Sequence, residues 1–271
     1  MENKFYTVHP IDGHTWRIAD IFGDYMYLVE GSDRAALIDT GMGFSSLSQV
    51  VGSLTPKPVI VLCTHGHLDH VGANGQFEQV YIHPADEKLL REHGSQAYRE
   101  DRIPAFMAEI GSDAGAQVIQ DLIHVHQPET LNYLADGQTI DLGGRSLEVI
   151  AVPGHTRGSV CFLDAAGRLL FSGDMLCAMG IMLSFECSTT VSEFLETMAK
   201  MKARTADRVD FVYGGHHVAP IGPEYMNKYM DCGRKLLECS DGSVTESGTF
   251  GTFFRYNYED IGLTYTAETL R

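Results

Sequence analysis

The sequence predicts an α/β fold in which two β-sheets carry helices packed outside them. Three observations point there. Short β-rich runs, "TWRIAD", "YMYLVEG" and "RAALIDTG", crowd the first third and are separated by turn residues. Strand-like runs return after a long polar, helix-prone stretch and alternate with further helical segments. Finally, 44% of the 271 residues are apolar, enough for one large core or one domain with an appended subdomain. A single domain over residues 1–271 is expected.

The remaining elements follow in order. Residues 45–54 have helical character and stop before Pro56. "PVIVLCTH" is a continuous Val/Ile-rich run, as in a strand buried on both faces. "QVYIH" is a further strand. Residues 84–127, with "PADEKLLREH", "AFMAEI" and "AQVIQDLI", read as a helical insertion that serves either as a lid or as an oligomer interface. If the latter, the assembly is a homodimer. "TIDLGG", "SLEVIAVP", "SVCFLD" and "RLLFSGD" resume the strands. Residues 190–204 form an amphipathic helix, and "RVDFVYGG" is one more strand. Residues 223–271 comprise a helix to position 239 and an alternating aromatic tail, "TFFRYNYEDIGLTYT", expected as strand.

Charge and cysteines narrow the partners. The net charge is −16, with 36 acidic against 20 basic residues, and no Lys/Arg run stands out. Such a surface repels phosphate backbones, so no nucleic-acid partner is expected. Six cysteines without a C-x-x-C pair disfavour both a disulfide scaffold and a cysteine zinc site. Cys63 and Cys161 fall in strand-like runs and read as buried thiols. The opening "MENKFYTVHP" is polar, and no apolar run approaches the roughly 20 residues that span a bilayer. A cytoplasmic protein without a membrane partner is expected.

Metal-capable side chains stand just past four strand-like runs, where a rigid scaffold presents them. "VLCTH" leads into His65, His67, Asp69 and His70; "LEVIAVPGH" delivers His155; "RLLFSGD" delivers Asp174; "RVDFVYGGHH" delivers His216 or His217. His65 and His67 are two apart, so in an extended segment they point the same way. Asp69 and His70 are expected on the first turn of a short helix. Burying three imidazoles and a carboxylate without a metal would leave costly polar groups. Seven ligands are too many for one tetrahedral ion and suit two with a shared solvent. His9, His14, His83 and His93 read as ordinary histidines. His124 and His126 share i, i+2 spacing, but nothing else converges on them.

With "ALIDTG", "THGHLDHVG", "VPGHTRGS", "FSGD" and "GGHH" in this order, the chain resembles the metallo-β-lactamase superfamily over nearly its whole length. The resemblance implies a four-layer αβ/βα sandwich with a dinuclear site at the edge between its sheets. It assigns His65, His67 and His155 to one metal, and Asp69, His70 and His216 to the other, with Asp174 bridging. His216 is chosen over His217 because the family's ligand directly follows a glycine. Asp39 matches an aspartate that steadies the ligand loop. The antibiotic-degrading members carry Cys or Ser where Asp174 stands. An Asp there resembles thioesterases of the glyoxalase II type, lactonases, phosphodiesterases and sulfur dioxygenases. Flavin-linked diiron members carry Glu in place of His67.

The implied activity is hydrolysis of an ester-like bond (thioester, lactone or related) in a small molecule, by hydroxide shared between two divalent ions. Zinc is the first expectation, with iron or manganese as alternatives. Asp69 is the expected catalytic group, orienting the nucleophile and shuttling its proton. Met42 and Phe44, after the Asp39 motif, and Met182, Phe185 and His217 are the expected substrate-pocket residues. A mononuclear iron sulfur dioxygenase and a non-catalytic metal-binding module are the alternative functions.

Overall fold

A computed structural model describes residues 5–44, 46–109, 116–248 and 251–271. These fall into two compact units, Met1–Leu134 with Ile140–Ser146, and Ala135–Thr139 with Leu147–Arg271. Position 45, at the start of the expected first helix, and positions 110–115, within the expected 84–127 insertion, lie outside the described residues.

The first unit is built on strands β1 (Tyr6–Asp12), β2 (Thr15–Asp20), β3 (Tyr25–Glu30), β4 (Ala35–Ile38), β5 (Val59–Leu62), β6 (Val80–Ile82) and β7 (Asn132–Tyr133). They form one sheet in sequence order. Pairing is antiparallel from β1 to β4 and parallel from β4 to β7. The switch follows from the connections. Tight turns join the first four strands, whereas α1 (Leu47–Leu54), α2 (Leu68–Val71), and α3 to α5 (Glu87–His93, Gln96–Glu109, Ala116–Ile123) make the crossovers that parallel strands require. Met26, Leu28, Leu37 and Val61 from the strands share a core with Leu47, Val51, Leu90, Ile103 and Leu122 from the helices.

The second unit holds β9 (Ser146–Ala151), β10 (Val160–Asp164), β11 (Leu169–Gly173) and β13 (Phe211–Gly214), in the order β13-β11-β10-β9. Strand β8 (Thr139–Asp141) falls where the chain passes between the two units. A smaller sheet has the order β12-β16-β15-β14, from Ile181–Leu183, Ile261–Tyr265, Gly251–Tyr258 and Val244–Gly248. Helices α6 (Val191–Thr205) and α7 (Tyr225–Glu238) pack with these sheets. A capping box starts α6: Thr190 accepts from the Glu193 amide while Glu193 accepts from the Thr190 amide. Its Val191, Phe194, Met198 and Met201 then repeat at helical spacing and are all buried. Gly233 lets α7 meet α6, since a Cβ there would stand 2.9 Å from Leu195 Cδ2.

The four strands without a counterpart in the sequence reading have little pattern to read. β1 buries only Tyr6, β7 has two residues, and β14 buries none. β12, "IML", lies inside a Met-rich apolar stretch. Edge strands are held by backbone pairing with a neighbour, which composition does not record. Among the described residues no helix is long and apolar enough to cross a membrane.

Candidate metal centre

The motif from His65 to His70 follows the end of β5. Past Leu62 the chain bends at Thr64 and His65, and His67, extended at φ −71° and ψ 154°, caps the short helix α2. Gly66 is required by close approach, because a Cβ there would lie 2.8 Å from the Leu90 amide nitrogen. Its own amide donates to Asp86 Oδ2 at 3.0 Å, which ties the loop to the start of α3. His65, His67 and His70 are buried. His65 Nε2 and His67 Nδ1 stand 3.1 Å apart. The His70 ring lies 4.0 Å from that of His65, and its Nε2 is 3.6 Å from Asp69 Oδ2.

Asp39 fixes which nitrogens face inward. Its backbone is left-handed (φ 59°), and its carboxylate is buried. Oδ1 accepts from the Thr64 amide at 2.7 Å. Oδ2 accepts from Thr64 Oγ1 at 2.7 Å and from His70 Nδ1 at 2.8 Å. With its own proton given to Asp39, Thr64 Oγ1 accepts from His65 Nδ1 at 3.0 Å. Both imidazoles are thereby held as Nδ1–H tautomers with Nε2 as the acceptor nitrogen. Such outer partners orient metal-binding imidazoles. Two nitrogens bonded to one tetrahedral zinc at about 2.0–2.1 Å would stand about 3.3 Å apart, close to the His65–His67 separation. The donor set fits a divalent cation.

His93 joins this unit without any sequence signal. Its ring stacks on His67 at 5.2 Å and on Tyr98 at 4.1 Å. Burial pushes its pKa down to about 4, so the ring is neutral at pH 7. Met42 and Phe44, expected beside the site, are packed inside the first unit's core. Phe44 stacks on Phe5 at 4.9 Å, and the Met42 carbonyl accepts from the buried Arg99.

In the second unit the ligand-type residues come together through strand register. Strands β11 and β13 run parallel, with Gly173 opposite Gly214. Their exits are therefore adjacent, and Asp174 and His216 leave side by side. His216 Nε2 lies 3.3 Å from Asp174 Oδ1. His155, from the loop after β9, places Nε2 3.6 Å from Asp174 Oδ2. Each Asp174 oxygen thus faces a different imidazole. His155 Nδ1 donates to the Met182 carbonyl at 2.8 Å, and Phe185 meets the ring edge-on at 5.5 Å. Met182 and Phe185 accordingly stand at His155. His217 is exposed, with φ 63° and its ring 6.1 Å from that of His216. The strand ends at Gly214, so a left-handed turn, rather than strand alternation, separates the two side chains.

A family model described as "Metallo-beta-lactamase superfamily" matches residues 20–216. The chain belongs to the metallo-β-lactamase superfamily. The chicken protein named acyl-coenzyme A thioesterase MBLAC2 is 33% identical over 240 residues, covering 81% of this chain and 83% of that one. The human protein of the same name is 30% identical over 205 residues, covering 70% and 72%. Among solved structures, the metallo-β-lactamase from Pontibacter korlensis superposes with a TM-score of 0.60 at 16% identity, covering 84% of this chain and 99% of that one. The fold is accordingly that of the superfamily, as the sequence motifs imply. Membership implies binding of divalent metal.

Proposed function

We propose that this hydrolase of the metallo-β-lactamase superfamily cleaves thioesters of the acyl-coenzyme A type at a dinuclear metal site. The observation that carries the reading is the fixed orientation of the imidazoles. Thr64, Asp39 and the Met182 carbonyl each take an Nδ1–H and leave Nε2 of His65, His70 and His155 to bind metal. The likeness to proteins named acyl-coenzyme A thioesterases selects the thioester among the ester-like bonds.

His65, His67 and His155 would hold one ion, Asp69, His70 and His216 the other, and Asp174 both. The two Asp174 oxygens, each directed at a different imidazole, suit that bridging role. Divalent ions bound there supply a Lewis acid for the thioester carbonyl and bring the pKa of water towards neutrality. Asp69 has 29% of its side chain exposed and accepts the proton given up by the attacking water. Zinc suits the mixed imidazole–carboxylate set, and iron or manganese are the alternatives.

Metal analysis of protein purified without added metal, followed by assays on thioesters, lactones and phosphodiesters, tests this reading. Two metal equivalents per chain, loss of activity with a chelator, and preference for the acyl-coenzyme A are expected. One equivalent in fully active, metal-saturated protein refutes the dinuclear site. A preference for lactones or phosphodiesters refutes the thioester.

A further inference from the structure

The second unit carries an arginine whose placement the metal chemistry does not explain. Arg255 on β15 lies opposite Thr264 of β16, and Thr264 lies opposite Met182 of β12. Directly opposed residues share a sheet face. Met182, Thr264 and Arg255 therefore form one row, and the Met182 carbonyl is the group that holds His155. With strands spaced at about 4.8 Å, the Arg255 backbone is roughly 10 Å from that of Met182. Tyr256 and Tyr258 alternate to the other face and pack on the core beneath α7.

The guanidinium is anchored by one edge. Nε donates to Asn257 Oδ1 at 2.9 Å, and Nη2 donates to the Met179 carbonyl at 3.0 Å, in the loop that follows Asp174. Both acceptors are neutral, so these bonds fix the group without cancelling its charge. Three other cations of this unit are instead paired with carboxylates. Lys228 pairs with Asp260 at 2.8 Å, Arg234 with Asp231 at 3.1 Å, and Arg168 with Asp210 at 2.7 Å. In a chain of net charge −16, a half-buried arginine held rigid on neutral partners is a poor investment for stability alone. The planar fork suits phosphate. Met179, whose carbonyl holds the guanidinium, is 54% exposed and offers an apolar contact beside it.

We propose that Arg255 docks the phosphate-bearing end of the thiol carrier in the substrate. The inference rests on the thioesterase reading and deepens it. A long pantetheine-type arm separates the thioester from its phosphates, and Arg255 stands two strands across from Met182, whose carbonyl holds His155.

The test compares an acyl-coenzyme A with the same acyl group on the uncharged carrier N-acetylcysteamine. Arg255→Gln keeps an N–H for the Met179 carbonyl and removes the charge; Arg255→Lys keeps a charge. The expected result is that R255Q raises KM for the acyl-coenzyme A roughly 10-fold or more relative to the neutral thioester. R255K should recover part of this, and the salt dependence of KM should fall in R255Q. Equal losses on both substrates, or no loss on either, overturn the proposal. A KM increase confined to a glutaryl thioester of the neutral carrier also overturns it, by assigning Arg255 to an acyl carboxylate. If the wild type hydrolyses neither thioester, the thioesterase reading fails separately. Calorimetric binding of free coenzyme A that is weakened in R255Q then supports the docking role, and absence of such binding overturns it.

Discussion

Replacing Asp39 by Asn should weaken metal binding through a single proton. The substitution preserves volume, and Asn tolerates the left-handed backbone of this position, so strain does not confuse the result. In the native site three donors converge on two carboxylate oxygens: the Thr64 amide, Thr64 Oγ1 and His70 Nδ1. Asn offers one acceptor oxygen and one NH2 group. If the oxygen stays with the Thr64 amide, the NH2 faces His70 Nδ1, and the ring must accept there. Its proton then moves to Nε2, the nitrogen that would bind metal. If the amide flips, the Thr64 N–H meets a donor and remains buried without an acceptor. The second arrangement costs about 1–3 kcal/mol. The first costs metal affinity, and loss of such an outer partner weakens binding about 10–100-fold, or about 1.4–2.7 kcal/mol. Chelator competition on the wild type and D39N measures the affinity, and urea unfolding of the metal-free proteins measures the stability. Metal affinity within about twofold of the wild type, with unchanged stability, would refute the tautomer argument.

Three further outcomes are expected. Asp174→Ala should lower kcat by about 100-fold or more, with a smaller change in KM, because the bridge sets where the nucleophile stands; near-normal kcat with intact metal would make Asp174 a structural residue. His216→Ala should lose the second metal equivalent and most turnover while His217→Ala retains both ions, and metal counts showing the reverse would exchange the two roles. Glu148→Gln should cost about 1 kcal/mol at pH 7, since it removes hydrogen bonds from Arg204 at 2.6 Å and Arg208 at 2.7 Å. Burial alone would raise the Glu148 pKa, but those arginines hold it below the ordinary glutamate value. A depressed acid contributes stability above its unfolded pKa and loses it as pH falls through the folded one, so thermal unfolding should show the Glu148→Gln difference at pH 7 and its progressive loss as the pH is lowered through the acid range. A difference that stays constant throughout the acid range would place the effect in packing.

The sequence by itself determined the strands with strong apolar runs, the amphipathic α6 and the positions of the ligand-type residues at strand exits. These are local properties. A continuous Val/Ile run records burial on both faces, and a Gly or Pro after it records where the strand must end. H-x-H-x-D-H and Asp174 were legible for the same reason, whereas Asp39 was marked only by the resemblance to the family. Only the tertiary structure decided what those residues face. The parallel register of β11 and β13 sets Asp174 beside His216, and a left-handed turn then carries His217 away. Asp39 reaches Thr64 and His70 across 25 and 31 positions, and through them selects the tautomers. Met42 and Phe44 have the composition of a pocket wall, yet pack in a core, because apolar side chains look the same in either setting. His93 stacks on His67, and Arg255 joins the row of Met182, only through partners distant in sequence. Composition and spacing describe what a segment can bury, whereas register and long-range contact fix what it touches.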